Sequence, residues 1–137
     1  MASLVFRSFV FLPMMFVLMV LTMSEAKTHV RITNDLPNNM DLTVHCKSRE
    51  DNLGAHVLSY LDSYEFRFNP NIVGSTLFYC SMAWPSHTRY FNIYSFRRDG
   101  SCEWSKHVCL WRVTPEGPCI VKNLSNNQTV CYNWKKE

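Results

Sequence analysis

Six cysteines, Cys46, Cys80, Cys102, Cys109, Cys119 and Cys131, constrain this chain more than any other feature, because their number is even and all lie beyond residue 45. In an oxidising compartment such a set closes up to three disulfides. Each contributes about 2–4 kcal/mol, mainly by restricting the unfolded chain. Six cysteines allow fifteen pairings, and spacing alone does not select among them. Metal binding is the competing use. Cys102 and Cys109, with Trp104, Lys106 and His107 between them, match no zinc-ligand spacing, so disulfides are the expected state.

The N-terminus points to the same compartment. Arg7 supplies a positive charge, Phe9 to Leu21 is an uncharged apolar run, and Ser24 and Ala26 put small residues at the minus-three and minus-one positions of a cleavage site. The run is about thirteen residues long and is interrupted by Pro13, too short for the roughly twenty that span hydrocarbon. Residues 1–26 therefore read as a signal peptide cut after Ala26. Removing 26 of the 137 residues leaves 111, the size of one domain, 27–137. Without Arg7 and Glu25 the 14 basic and 11 acidic residues become 13 and 10, and the net charge stays +3. These charges are scattered along the chain, so nucleic acid is not an expected partner.

Beyond residue 26 the pattern is that of short strands. Thr28 to Asn34 alternates polar and apolar residues, the period-two mark of a half-buried strand. Met40, Leu42, Val44 and Cys46 share one face of the next strand, and a polar loop from Ser48 runs to Gly54. Further strands are expected at Ala55–Tyr60, Tyr64–Phe68, Arg89–Phe96, His107–Val113, Cys119–Val121 and Val130–Tyr132. Thr76 to Trp84 is apolar at both alternations and is expected to be a central strand covered on each side. Turns are placed at Pro85–His87, Arg97–Gly100 and Pro115–Pro118. Eight or nine strands with no helical stripe give an all-β sandwich or small barrel.

Several segments recur in a recognisable order: Val30-Arg31-Ile32-Thr33-Asn34, His45-Cys46-Lys47-Ser48, Asn52-Leu53-Gly54 with His56, and Phe66-Arg67-Phe68. Thr76-Leu77-Phe78-Tyr79-Cys80 with Trp84, Phe91-Asn92-Ile93-Tyr94, Cys102, Cys109-Leu110-Trp111 and Gly117-Pro118-Cys119 follow. The set resembles the plant self-incompatibility protein family, the S-protein homologues of the poppy type, over essentially all of residues 27–137. The resemblance implies a secreted, disulfide-stabilised antiparallel β-sandwich of about eight strands. In founding members it is a pistil ligand recognised by a pollen surface receptor. Cys46, Cys80, Cys109 and Cys119 match the family pattern, which leaves Cys102 and Cys131 as the implied extra pair. Where family members often carry an Asp-rich run before Leu-Gly, this chain has Arg49-Glu50-Asp51-Asn52.

Candidate functional residues follow. Asn123-Leu124-Ser125 and Asn127-Gln128-Thr129 are N-glycosylation sequons, with Asn127 favoured by its threonine. Five histidines, among them His29, His45, His56 and His87, invite comparison with a ribonuclease acid–base pair. None lies in the aromatic-rich motifs of the pistil ribonucleases, and surface histidines are expected. Glu50, Asp51 and Asn52 are too few oxygens for calcium. No enzyme activity, cofactor or metal is expected. Recognition is expected from loops, at Arg49, Glu50, Asp51, Asn52, His87, Arg97, Arg98 and Asp99. The resulting expectation is a monomeric extracellular ligand of a cell-surface protein receptor, without stable membrane insertion. A defence or toxin-like protein acting on membranes or microbes is the alternative.

Overall fold

The computed structural model describes residues 27–71 and 73–136; the expected signal peptide lies outside them. Among the described residues nine strands form: β1 Thr28–Asn34, β2 Leu42–Lys47, β3 Asn52–Leu58, β4 Ser63–Phe68, β5 Leu77–Trp84, β6 His87–Ser95, β7 Val108–Thr114, β8 Gly117–Asn123 and β9 Gln128–Cys131. A single helical turn, α1 (Phe96–Asp99), and a 3-10 turn (Glu103–Ser105) lie between β6 and β7. One sheet has the order β4-β1-β7-β8-β9 and the other β3-β2-β5-β6. The expected all-β sandwich is thus present.

Its pairing is not wholly antiparallel. β1 and β7 run parallel, with Val30 opposite Cys109 and Ile32 opposite Trp111. Parallel neighbours need a long crossover, and the intervening strands supply it. The chain leaves β1 for the four-stranded sheet, comes back for β4, departs again for β5 and β6, and returns to lie beside β1.

Alternation explains the core. Val30 and Ile32 of β1, Trp111 and Val113 of β7, and Ile120 of β8 turn inward from the five-stranded sheet. Leu42, Val44, Cys46, Phe78, Cys80, Met82, Trp84 and Ile93 face them from the other. Aromatic rings bridge the gap: Phe68 of β4 lies 4.7 Å from Phe78 and 4.6 Å from Tyr94, and Phe91 lies 5.2 Å from Trp111, between ring centroids. Such pairs add to simple area burial when tilted or edge-on, as these are.

Asn34 ties the two sheets together. It is fully buried at the end of β1, and its Nδ2 donates to the carbonyls of Met40 and Leu58, at 2.8 and 2.9 Å. Its Oδ1 accepts from the Leu36 amide at 2.9 Å. One side chain thereby satisfies backbone groups at the entry to β2 and the exit of β3. On the opposite flank the chain after β9 acts as a strap. The Tyr132 amide donates to Pro118 O, Trp134 Nε1 to Pro115 O, and the Lys135 amide to Tyr90 O, which carries the tail from β8 to the edge of β6. Gly117 makes this crossing possible, since a Cβ there would sit 1.9 Å from Tyr132 O.

Three disulfides form, Cys46–Cys80, Cys102–Cys109 and Cys119–Cys131. The implied Cys102–Cys131 pair is therefore corrected. Cys119 and Cys131 are register partners across β8 and β9, so each is already the other's nearest mate. Cys102, left-handed at the start of the 3-10 turn, closes a short loop onto Cys109. A loop, a turn and a strand expectation also change. The Ser48–Gly54 loop shrinks, because β3 begins at Asn52 and Gly54 (φ +78°) lies within it, near a register shift between His45 and Lys47. Arg97–Gly100 is not a plain turn but α1, ended by Gly100. β5 is covered on one face only, and Leu77 and Tyr79 are exposed.

Asn34→Ala would strand the Met40 and Leu58 carbonyls and the Leu36 amide in the core. The expected cost is about 2–4 kcal/mol, read as a lower urea midpoint with an unchanged slope.

Candidate recognition surface

The β2–β3 turn is short and ordered. The Ser48 amide donates to Asp51 O at 2.8 Å, and the Asp51 amide to Ser48 Oγ at 3.1 Å. This hydrogen-bonded turn leaves Arg49, Glu50, Asp51 and Asn52 exposed. Asn52 is the one of the four with a fixed side chain: its Oδ1 lies 2.7 Å from His45 Nε2 and accepts from the Gly54 amide at 3.0 Å. Arg49, Glu50 and Asp51 line an open groove of about 800 Å³ together with Phe68, Thr76, Leu77 and Tyr79. Leu77 and Tyr79 also line a second depression of about 310 Å³, completed by Tyr90, Asn92, Lys135 and Lys136. The two hollows share Leu77 and Tyr79 on the outer face of the four-stranded sheet, and the larger one reaches Phe68 and Asn69 at the end of β4.

Tyr79 and Tyr90 are 45% and 48% exposed, high for aromatic residues within strands. Tyr79 pairs with Lys47 on β2, and Tyr90 with Ser81 on β5. Sequence reasoning missed Tyr79 by reading both alternations of Thr76–Trp84 as buried.

The other expected recognition residues separate. His87 begins β6 at an exposed turn; its ring stacks on Trp84 at 5.3 Å, and Nδ1 lies 3.1 Å from Pro85 O. Arg97 is exposed. Arg98 and Asp99 belong to the framework. Arg98 Nε and Nη2 donate to the two Asp99 carboxylate oxygens, each at 2.8 Å, and Nη2 also donates to Asn92 O. The guanidinium lies 4.9–5.3 Å from the rings of Phe91, Trp111 and Tyr132. Arginine's planar, weakly hydrated cation suits such stacking. Asp99 is 2% exposed and accepts from the Ser95 amide as well, so it has no face to offer a partner. The expectation of a free charged loop there is corrected for Arg98 and Asp99.

Tyr94 packs beside this pair. It is fully buried, and its hydroxyl donates to Gly100 O. Burial, helped by the negative Asp99, pushes its pKa up to about 12.

The histidines are held apart by local contacts. His29 faces Glu65, 3.5 Å away and shared with Arg31. His45 bonds Asn52, whereas His56 stacks on Tyr64 at 3.9 Å with Nε2 2.9 Å from Leu53 O. His45 is the register partner of Ala55, and His56 that of Val44, so the two side chains leave opposite faces of the sheet. His107 Nδ1 lies 3.2 Å from Ser101 O. Among the described residues no three His, Cys, Asp or Glu side chains converge on a point that could hold a metal. Of the sequons, Asn127 is exposed with φ +54°, while Asn123 is half-buried with its Oδ1 accepting from the Ser125 amide and hydroxyl.

These features define a small, three-disulfide β-sandwich with a broad exposed surface on its four-stranded sheet. The family model for plant self-incompatibility protein S1 matches residues 29–134. S-protein homolog 3 of Arabidopsis thaliana is 39% identical over 109 residues, covering 77% of this chain and 71% of the relative. S-protein homolog 5 of the same plant is 41% identical over 109 residues, covering 79% and 78%. The chain belongs to the plant self-incompatibility protein S1 family. A solved structure of a self-incompatibility protein homologue, from a family described as small, highly stable, secreted proteins of plants, shares the fold. Its TM-score is 0.57 at 14% identity, covering 80% of this chain and 96% of that one.

The raised Tyr94 pKa means that the folded state keeps this proton when the unfolded chain has lost it. Its stabilising effect is therefore complete below pH 10 and is lost as the pH rises toward 12. Absorbance titration of the folded protein is expected to show one tyrosine ionising near pH 12, and Tyr94→Phe removes that step.

Proposed function

We propose that this chain is a secreted, non-catalytic protein ligand. It docks on a cell-surface protein receptor through the outer face of its four-stranded sheet and the adjoining β2–β3 turn. The observation that carries the reading is the continuity of the two hollows through Leu77 and Tyr79. That surface combines exposed tyrosines with cations at Lys47, Lys135 and Lys136 and a charged turn at Arg49, Glu50 and Asp51. Tyrosine and arginine are the residue types that most often dominate protein–protein contacts, and rim charges speed encounter. Extracellular location is supported by the three disulfides and by the family. No helix among the described residues is long and apolar enough to cross a membrane. The local bonding of each histidine supports a non-catalytic role.

The test uses fluorescently labelled protein on plasma-membrane vesicles and on vesicles of pure lipid. Expected is saturable binding to the first that protease treatment of the membranes abolishes. Tyr79→Ala combined with Tyr90→Ala should weaken binding at least 10-fold, and Arg49→Glu should slow its onset. Binding that survives protease and is equally strong on pure lipid would overturn the ligand reading in favour of a membrane-active defence protein.

A further inference from the structure

Two open sheets have four edge strands, β4 and β9 in one, β3 and β6 in the other. An unguarded edge offers unpaired amides and carbonyls to another chain, and proteins blunt such edges with charge, distortion or cover. Three of these edges are guarded in the chain itself. β6 is covered by the strap, whose Lys135 amide bonds Tyr90 O. β4 carries Glu65 and Arg67, and Glu65 is ion-paired to Arg31. β3 is distorted by Gly54 and by the register shift against β2.

β9 has none of these devices. Gln128, Thr129, Val130 and Cys131 are all exposed, and the strand contains no charge, proline or glycine. The irregularity in its pairing with β8 falls between Val121 and Asn123, on the inner partner. Val130 pairs with Ile120, and the Tyr132 amide bonds Pro118 O. By the alternation of an antiparallel ladder, the backbone groups of Thr129 and Cys131 then point away from the sheet. What stands beside this edge is a sequon. Asn127 directly precedes β9, is exposed, and has its acceptor threonine, Thr129, within the strand. Asn123 is less accessible, half-buried and bonded to Ser125.

We propose that Asn127 carries an N-glycan and that this glycan is the guard of the β9 edge. The modification joins Asn127 Nδ2 to the anomeric carbon of the first N-acetylglucosamine. Nδ2 gives up one proton, and the lipid pyrophosphate that delivered the oligosaccharide leaves. A branched, hydrated oligosaccharide rooted one residue before the strand sweeps the space a second strand would need. The attachment lies on the edge of the five-stranded sheet, so it leaves the Tyr79–Tyr90 face open.

The test compares protein secreted from N-glycosylating cells as wild type, Asn123→Gln, Thr129→Ala and Thr129→Lys, by glycopeptide mass and by sedimentation over a 100-fold concentration range. Both Thr129 variants destroy the sequon, but only the lysine replaces the lost guard with an edge charge. Expected is a glycan on Asn127 in the wild type and in Asn123→Gln, both monomeric. Thr129→Ala should self-associate at a concentration at least 10-fold lower, while Thr129→Lys should stay monomeric without glycan. An unmodified Asn127, a monomeric Thr129→Ala, or equal association of both Thr129 variants would each overturn the proposal.

Discussion

The buried carboxamide of Asn34 sets the relation between the two sheets. Two donors and one acceptor on a single side chain meet backbone groups of Met40, Leu58 and Leu36. The last residue of β1 is thereby joined to the connections that enter β2 and leave β3. A buried amide must find partners, because leaving them unmade costs more than a made bond contributes. The observed placement of the sheets satisfies all three bonds. With that corner fixed, Phe68 can meet Phe78 and Tyr94, and Phe91 can meet Trp111 across the gap. At the far side the strap and the Arg98–Asp99 pair hold Tyr132 against the same aromatic layer.

The surface follows from how the interior is filled. One face of each sheet is consumed by the core. The five-stranded sheet covers part of its outer face with the His29, Arg31 and Glu65 cluster. The four-stranded sheet leaves Tyr79 and Tyr90 uncovered, beside lysines contributed by β2 and the C-terminal tail. Large rings kept in water on a rigid sheet lose little entropy when a partner covers them, which favours a contact surface. On the proposed ligand reading, a receptor would meet mainly a sheet face, which the β2–β3 turn extends rather than replaces.

Local pattern made much of the fold legible. Thr28–Asn34 alternates so regularly that β1 has the expected limits, and the even cysteine set matches three bridges. Long-range relations were not legible. Nothing within β1 or β7 marks them as parallel neighbours, because that depends on the path of five intervening strands. Cys102 finds Cys109 through a left-handed turn that spacing does not reveal. Arg98 and Asp99 look like a solvated turn until three aromatic rings from separate elements are seen to enclose the guanidinium. Exposed tyrosines on β5 and β6 were hidden for a related reason: alternation shows which residues share a face, not whether another layer covers it.

Hydrogen–deuterium exchange of the protein bound to receptor-bearing membranes, compared with the free protein, tests the central claim most directly. The account predicts new protection confined to residues 47–51, 77–81, 88–92 and 135–136, with no change along β8 and β9. Protection centred on the five-stranded sheet, or spread evenly over the molecule, would contradict it.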